Sequence, residues 1–439
     1  MRVRLLDPEA PFAEDARLPR NSDELLHDLA LEPVFQAMAA GDATIDRVAR
    51  SVILGAAADS PATVRHRQAV LADAFANPAL VRELYGLVDG ALGSASGRRS
   101  GLSARRAGVR LQHATELLER YLEVLASMQG LAQRYGQSVT ARGLTELVDT
   151  LQRAVTPDRR RAMGAVLQDA AVHNGVTVAA GLGAGNRIAA ATVCRPSART
   201  ATGLRRLMGR ARRGIDHRID DQDTQGRRAL RELRDTRLQP LADSLARTAH
   251  DVRAFLEQLR RELAFYVGAL NLAEALATRA VTTVLPDVRD LHEECWTAHG
   301  LVDLALVLSG REPVVANDVD ADGYRVVVVT GANGGGKSTL LRSIGQCQLM
   351  AQAGLFVAAR SATLSASRGV FSHFRREEDA SLRSGKLDHE LRRLGAIADA
   401  AAPGSLVLSN ESCAATNQRE SSAILSEVAA AFRDHGVRA

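Results

Sequence analysis

The sequence predicts a mainly α-helical N-terminal region followed by an α/β domain, and three patterns carry that prediction. Apolar residues recur at three-to-four spacing through most of residues 1–172. A longer helical pattern runs from Leu241 to Leu270. Beyond it, the β-branched run Tyr324–Thr330 enters the glycine-rich stretch TGANGGGKST (330–339), and helical spacing resumes from Leu340. At 439 residues the chain is too long for one compact core. Aromatics are only 3%, whereas Ala, Leu, Arg and Val dominate, a mixture that favours helices over β-sandwiches. Three regions follow: a helical core (1–172), a hairpin with an arginine-rich loop and a long helix (173–284), and the α/β domain (285–439).

Residues 1–20 hold Pro11 and Pro19 and read as an extended arm. Leu25, Leu26, Leu29, Val34, Phe35 and Met38 mark a first helix closed by Gly41 and Asp42; Ile45, Val48, Val52 and Ile53 mark a second. Pro61 and Pro78 each stand just inside a helix start. GSASGRRSG (93–101) reads as a linker. After it, Val109, Leu111, Ala114, Leu117, Leu118, Tyr121, Leu125 and Met128 describe a longer amphipathic helix, and two short helices fill 140–172. From Gly175 the period becomes that of two short strands around GLGAGN (181–186), a hairpin. No helix follows these glycines, as a dinucleotide-binding turn requires.

Arg195, Arg199, Arg205, Arg206, Arg210, Arg212, Arg213 and Arg218 crowd residues 195–222 with few apolar anchors. This composition suits a phosphate-backbone contact or a solvated connector, and the lack of interleaved aromatics favours the connector. Leu241, Leu245, Val252, Leu256, Leu259, Leu263, Val267 and Leu270 keep near-heptad spacing over a rod of about 45 Å, either a lever or a long core helix. Val314–Ala316, after Pro313, reads as a brief strand or an extended loop.

TGANGGGKST fits G-x-x-x-x-G-K-[ST], the P-loop, in its required context of a buried strand (Tyr324–Thr330), a glycine-rich turn and a helix N-terminus. Gly331, Gly334, Gly335 and Gly336 let successive N–H groups turn inward on phosphate oxygens, and the helix that starts there adds its positive dipole end. Lys337 is placed to reach the β/γ-phosphates and the Ser338 hydroxyl to ligate Mg²⁺, so a nucleoside triphosphate is the expected ligand. Downstream, Ser405–Asn410 is a short apolar strand ending in Glu411, the pattern of a Walker B element. The usual order there is Asp then Glu. Asn410 takes the Asp position, an amide that hydrogen-bonds a metal-bound water without bringing charge, and Glu411 stays available as the base. Ser384 and Gly385 head an apolar helical pattern (Leu391, Leu394, Ile397), an N-cap and anion site together. Set between the two motifs, they resemble the signature element of dimeric ABC-type ATPases, which reaches the γ-phosphate of the partner; that arrangement makes a dimer the active unit.

Net charge is +5, compatible with a nucleic-acid partner but more often a matter of solubility. The four cysteines (Cys194, Cys295, Cys347, Cys413) form no CxxC pair and read as reduced, mostly buried thiols of a cytoplasmic protein. His292 and His299 flank Cys295 at spacings that would share a helix face, with no further ligand near enough to make a metal site. The N-terminus has no apolar h-region and the chain no apolar run of membrane-spanning length, so neither secretion nor a membrane partner is expected.

Residues 313–435, through TGANGGGKSTLLRSIGQ, FSHFRREEDASLRSGKLDHELRRL and SLVLSNESCAATNQRESSAI, strongly resemble the ATPase domain of MutS-family DNA mismatch repair proteins. The helical part with its rod is similar to the family's core and lever by pattern alone. The resemblance implies ATP and Mg²⁺ as cofactors and phosphate binding by Gly331, Ala332, Asn333, Gly334, Gly335, Gly336, Lys337, Ser338 and Thr339. It implies Mg²⁺ at Ser338, with Asn410 in the second metal position, a trans contact from Ser384, catalytic roles for Glu411 and Lys337, and Ala414–Glu420 as a dimer-interface loop. DNA, duplex with mismatches or irregular structure, and a second copy of the chain are the implied partners.

Four departures accompany it. No N-terminal mismatch-reading domain with its Phe-x-Glu wedge is visible, Asn410 replaces Asp, and Val314 stands where many members stack an aromatic on adenine. The chain also stops at Val437–Ala439, where a further strand is expected, so the P-loop domain reads as incomplete at its C-terminus. The leading expectation is a DNA-binding MutS-like ATPase that dimerises through composite ATP sites. The alternative is a nucleotide-gated scaffold with little turnover, and a transporter ATPase subunit is disfavoured because the helical region precedes the nucleotide domain.

Overall fold

The computed structural model describes residues 2–13, 18–56, 60–95, 106–154, 156–170, 177–182, 188–194, 224–310, 314–375, 386–414 and 416–439. The chain is mostly helical with small mixed sheets. The first helix expected up to Met38 is two, α1 (Ser22–Asp28) and α2 (Glu32–Ala39). Ala30, at φ 50°, makes the left-handed turn between them, which lets Leu29 and Leu31 both point into the core. The Asp42 carboxylate accepts from the N–H groups of Thr44 and Ile45 to start α3 (Ala43–Gly55), and the Ser60 hydroxyl accepts from Thr63 N–H to start α4 (Pro61–Ala76). Next come α5 (Pro78–Ala95), α6 (Ala107–Tyr135), α7 (Arg142–Ala154) and α8 (Pro157–Ala170), in the order the periodicity predicts.

The hairpin forms as β1 (Thr177–Leu182) antiparallel to β2 (Ile188–Cys194). The arginine-rich segment 195–222 and residues 96–101 of the linker lie outside the described residues. The long helix α9 (Thr224–Ala277) has 54 residues rather than roughly thirty, about 80 Å at the helical rise. It passes through Pro240, which removes one ladder hydrogen bond without ending the helix. Its N-terminal part has too few apolar residues to display a stripe, so periodicity alone misses it.

The chain divides into two compact units: Met1–Gly86, Leu131–Thr150 and Gln258–Ala439 form one, and Leu87–Gly130 with Leu151–Glu257 the other. In the second, Leu111, Ala114 and Leu118 of α6, Leu167 of α8, and Leu238, Ala242 and Leu245 of α9 make the core. In the first, the N-terminal arm is extended and buries Val3, Leu5 and Leu6. Glu262 of α9 accepts from the N–H groups of Leu5 (2.5 Å), Leu6 (3.2 Å) and Phe12 (3.5 Å), and the Tyr266 hydroxyl donates to the Leu5 carbonyl.

The rest of the first unit holds β3 (Asp287–Arg289), β4 (Trp296–Leu301), α10 (Leu304–Leu308), β5 (Asn317–Asp320), α11 (Lys337–Gln352), β6 (Ser361–Ser365), β7 (Val370–Phe374), α12 (Lys386–Ala400), β8 (Leu406–Asn410) and α13 (Gln418–Asp434). β3, β6, β4 and β5 form one sheet in that order; β7 and β8 form a parallel pair from Val370 opposite Leu406 to Phe374 opposite Asn410. The outer edge of β7 is covered by α1. Asn21 donates to the Val370 carbonyl, and the Asp28 carboxylate accepts from the Ser372 hydroxyl and the Phe374 N–H.

Of the two readings of Val314–Ala316 the extended loop holds; the strand forms at Asn317–Asp320, where it pairs with β4. One expectation is corrected. Tyr324–Thr330 is not the buried strand that the P-loop pattern leads one to expect. Val328 is 78% exposed, and among the described residues the main-chain bonds of Arg325–Thr330 are those of Arg325 and Val327 with Ala439. A strand needs a hydrogen-bonded neighbour along its length. The neighbour here is the short run at 437–439, itself bonded to β8 through Val407 N–H to the Arg438 carbonyl, and it reaches only the first part of the run.

Burial raises the Glu262 carboxyl above its ordinary range, against the opposing pull of its hydrogen bonds from Gln258, Leu5, Leu6 and Phe12. The folded state therefore holds this proton more tightly than the unfolded chain. That contribution to stability is full at acid pH and fades as pH rises from the ordinary carboxylate value through the raised one. Thermal denaturation across that window should show Glu262→Gln gaining on the wild type as pH rises, while Glu262→Ala, which orphans the arm's N–H groups, loses about 3 kcal/mol near neutrality.

Candidate functional site

β8 is buried from Leu406 to Leu408 and emerges at Ser409 and Asn410. Its end meets the start of α11, where the Ser338 hydroxyl donates to Asn410 Oδ1 at 3.0 Å. The two sequence motifs, 72 residues apart at these positions, thus share one place. Gly331, Ala332, Asn333, Gly334, Gly335 and Gly336 form an exposed loop leading into α11. Gly334 and Gly336 take φ 78° and 86°, a region strained for any side chain, and Gly336 is the N-cap of the helix. Lys337 Nζ donates to the carbonyls of Gly331 and Ala332, both at 2.9 Å, so its ammonium group lies folded against the loop.

α11 is anchored by a polar face buried in the protein. Arg342, which donates to Thr339 Oγ1, pairs through Nε with Asp303 at 3.0 Å. The Asp303 carboxylate is fully buried; it also accepts from the N–H groups of Ala305 and Leu306 at the head of α10 and from the Gln346 amide. Gln346 donates further to the Leu29 carbonyl and Gln352 to those of Ala56 and Ser367, and Gln348 accepts from the Trp296 indole N–H. These bonds fix the helix, and with it Lys337, Ser338 and Thr339, against both the N-terminal helices and the following strands.

Glu411 follows β8 at φ 51° and Cys413 stands at φ 60°, two left-handed non-glycine residues around Ser412. The Glu411 carboxylate faces Arg375 at 3.4 Å, both side chains about half exposed, while the Arg375 N–H donates to the Asn410 carbonyl. Burial pushes the Cys413 thiol up, and the Cys413 carbonyl accepts from the Ser421 hydroxyl of α13. Ser384 lies outside the described residues. Val314 lines a cleft of about 530 Å³ with Val302, Val307, Ala316, Arg279 and Arg360. His292 sits in a 3₁₀ turn and His299 on β4, so they share no helix face; among the described residues no group of His, Cys, Asp or Glu could hold a metal ion. None of the described helices is long and apolar enough to cross a membrane.

The donor set suits a phosphorylated ligand. Space stands open at Gly331, Gly334 and Gly336, where an added Cβ would meet nothing, and one ammonium group stands beside the loop. For a divalent cation the oxygens at hand are a hydroxyl and an amide, both neutral. Mg²⁺ keeps several waters and takes its remaining ligands from phosphates and one or two protein oxygens, so the pair fits with less charge than usual. Arg375, Asp303, Arg342 and Ser412 escape sequence reasoning because no motif marks them; only the fold brings them to the two motifs.

The comparisons with known proteins agree with this architecture. The family model for the MutS2 N-terminal domain matches residues 59–279, and that for MutS domain V matches residues 327–436. The chain belongs to the MutS family. It is 29% identical over 199 residues to the DNA mismatch repair protein MutS of Chloroflexus aurantiacus, covering 44% of this chain and 20% of that protein. It is 34% identical over 114 residues to the endonuclease MutS2 of Thermus thermophilus (26% and 15%) and 33% identical over 113 residues to the MutS protein homolog 4 of Mus musculus (26% and 12%). The chain thus spans between 12% and 20% of the length of these relatives.

Burial separates two ion pairs. Arg375→Ala breaks a half-exposed pair and should change stability by less than about 1 kcal/mol, whereas Asp303→Ala strips four donors of a buried acceptor and should cost about 3–5 kcal/mol in urea denaturation.

Proposed function

We propose that this chain is the nucleotide-driven part of a MutS-family protein: it binds ATP with Mg²⁺, hydrolyses it, and couples the nucleotide state to DNA. The reading rests chiefly on the Ser338–Asn410 hydrogen bond, which sets a phosphate-loop hydroxyl beside the strand end that carries Glu411. Loop N–H groups from Gly331 to Thr339 and the Lys337 ammonium hold the triphosphate, Lys337 leaving the carbonyls of Gly331 and Ala332 for phosphate oxygens. Ser338 and Asn410 would hold Mg²⁺, which supplies charge neutralisation for the phosphate oxygens when bound. Glu411 orients the attacking water and takes its proton once it leaves the Arg375 pair. Ser384 acts in trans, so that two copies complete each other's sites, and the helical region carries the DNA contact, with duplex of irregular structure as the ligand. A cytoplasmic setting goes with this reading.

Steady-state ATP hydrolysis by the purified chain tests it. Wild type should turn over, Glu411→Gln should bind ATP but lose about 100-fold or more in rate, and Lys337→Ala should weaken ATP binding about 10-fold or more. Asn410→Asp, which restores the missing charge, should lower the Mg²⁺ concentration needed for half-maximal rate. DNA affinity should fall steeply with salt, as phosphate contacts require. ATP binding without turnover would leave a nucleotide-gated scaffold instead.

A further inference from the structure

The loop that carries Glu411 is held from behind by a side chain to which the nucleotide motifs assign no part. His373, on β7, is 1% exposed, and so are Ser412 and Glu390 within a few per cent. One ring nitrogen, Nε2, lies 3.2 Å from the Glu390 carbonyl in the first turns of α12; the other, Nδ1, lies 2.6 Å from the Ser412 hydroxyl. A carbonyl only accepts, so Nε2 carries the proton and donates to Glu390. Burial, and after it the charge of Arg393, holds the imidazole below its ordinary range, so the ring is neutral and Nδ1 is left to accept from the Ser412 hydroxyl. The same hydroxyl lies 3.1 Å from the His373 carbonyl, a second acceptor.

Ser412 is the residue between Glu411 (φ 51°) and Cys413 (φ 60°). Each left-handed non-glycine residue costs about 1–3 kcal/mol and persists only where its surroundings over-determine it. On one side that restraint is the Ser421 hydroxyl on the Cys413 carbonyl; on the other it is His373. Further bonds seat the imidazole. Asp28 holds the hydroxyl of Ser372 and the N–H of Phe374, the two neighbours of His373, and Arg393 of α12 donates to the Phe374 carbonyl and stands 3.6 Å from Asp28.

From this geometry we infer that His373 is a positioning residue for ATP hydrolysis, joining α12 to the strained loop that aims the Glu411 carboxylate. The inference rests on the proposed ATPase reading. It gives α12 a direct route to the general base: a shift of the Glu390 carbonyl moves the imidazole, and the imidazole moves Ser412.

Four variants separate the two halves of this link. Asn at 373 places an amide near the Nδ1 position and Gln near Nε2, so His373→Asn keeps the Ser412 contact and His373→Gln keeps the Glu390 contact. Ser412→Ala removes one hydroxyl, and His373→Phe keeps ring volume without either bond. We expect kcat to fall about 10-fold or more in Ser412→Ala, His373→Phe and His373→Gln with KM for ATP within about threefold, and His373→Asn to recover most of the rate. Equal losses in all four His373 and Ser412 variants, or unchanged kcat in Ser412→Ala, would overturn the inference while leaving the ATPase reading intact. A wild type that binds ATP without turnover overturns the ATPase reading instead, and amide hydrogen exchange then decides the positioning. Ser412→Ala should speed exchange at 411–414 and in the first turns of α12 together; acceleration of the loop alone, or of neither, contradicts the link. Ser412→Ala carries the test should His373→Phe fail to fold.

Discussion

The site depends on the parallel pairing of β7 with β8. Its register, Phe374 opposite Asn410, sets the ends of both strands side by side, so that everything after them emerges at one point. From β8 come Asn410, Glu411 and Ser412; from β7 come His373 and Arg375. Neither strand could stand alone. β7 gains its second edge from Asn21, just before α1, and from Asp28 of α1, and β8 gains one from the short run at 437–439. A break anywhere in that chain of edges would release the strand end on which Asn410 meets Ser338.

The other half of the site is held differently. α11 buries Cys347, Leu349, Met350 and Ala351, and it is fixed as well by buried amides and one buried carboxylate. Gln346, Gln348 and Gln352 are each within 1% of full burial, and all are bonded. Buried polar groups are costly unless satisfied, and once satisfied they admit few alternative placements. Such a helix keeps Ser338 in register with Asn410 but leaves the glycine loop ahead of it exposed and able to re-form around a ligand, as the folded-back Lys337 side chain suggests.

Much of this was legible in the sequence. The helix order, the hairpin, the strand Leu406–Asn410 and the glycine loop follow from period and motif, because each is set by local spacing. The family followed from the motif blocks, and the family models bear it out. What was not legible depended on partners distant in sequence. Tyr324–Val329 has every local mark of a strand, yet a strand exists only with neighbours, and the run has them only at Arg325 and Val327. The break at Ala30 is hidden because Leu25–Met38 keeps helical spacing across a left-handed residue. The N-terminal reach of α9 is hidden because an arginine-rich helix shows no stripe. Asp28, Asp303 and His373 look like ordinary surface or cap residues until the fold closes around them.

We propose that Ser338 and Asn410 form one cation-assisted nucleotide site. Calorimetric titration with a non-hydrolysable ATP analogue, with and without Mg²⁺, tests it most directly on wild type and Ser338→Ala. A single site in the wild type should gain affinity about fivefold or more with Mg²⁺, about 1 kcal/mol, and Ser338→Ala should lose that gain. Binding that ignores Mg²⁺ in the wild type, or a full Mg²⁺ gain in Ser338→Ala, would contradict it.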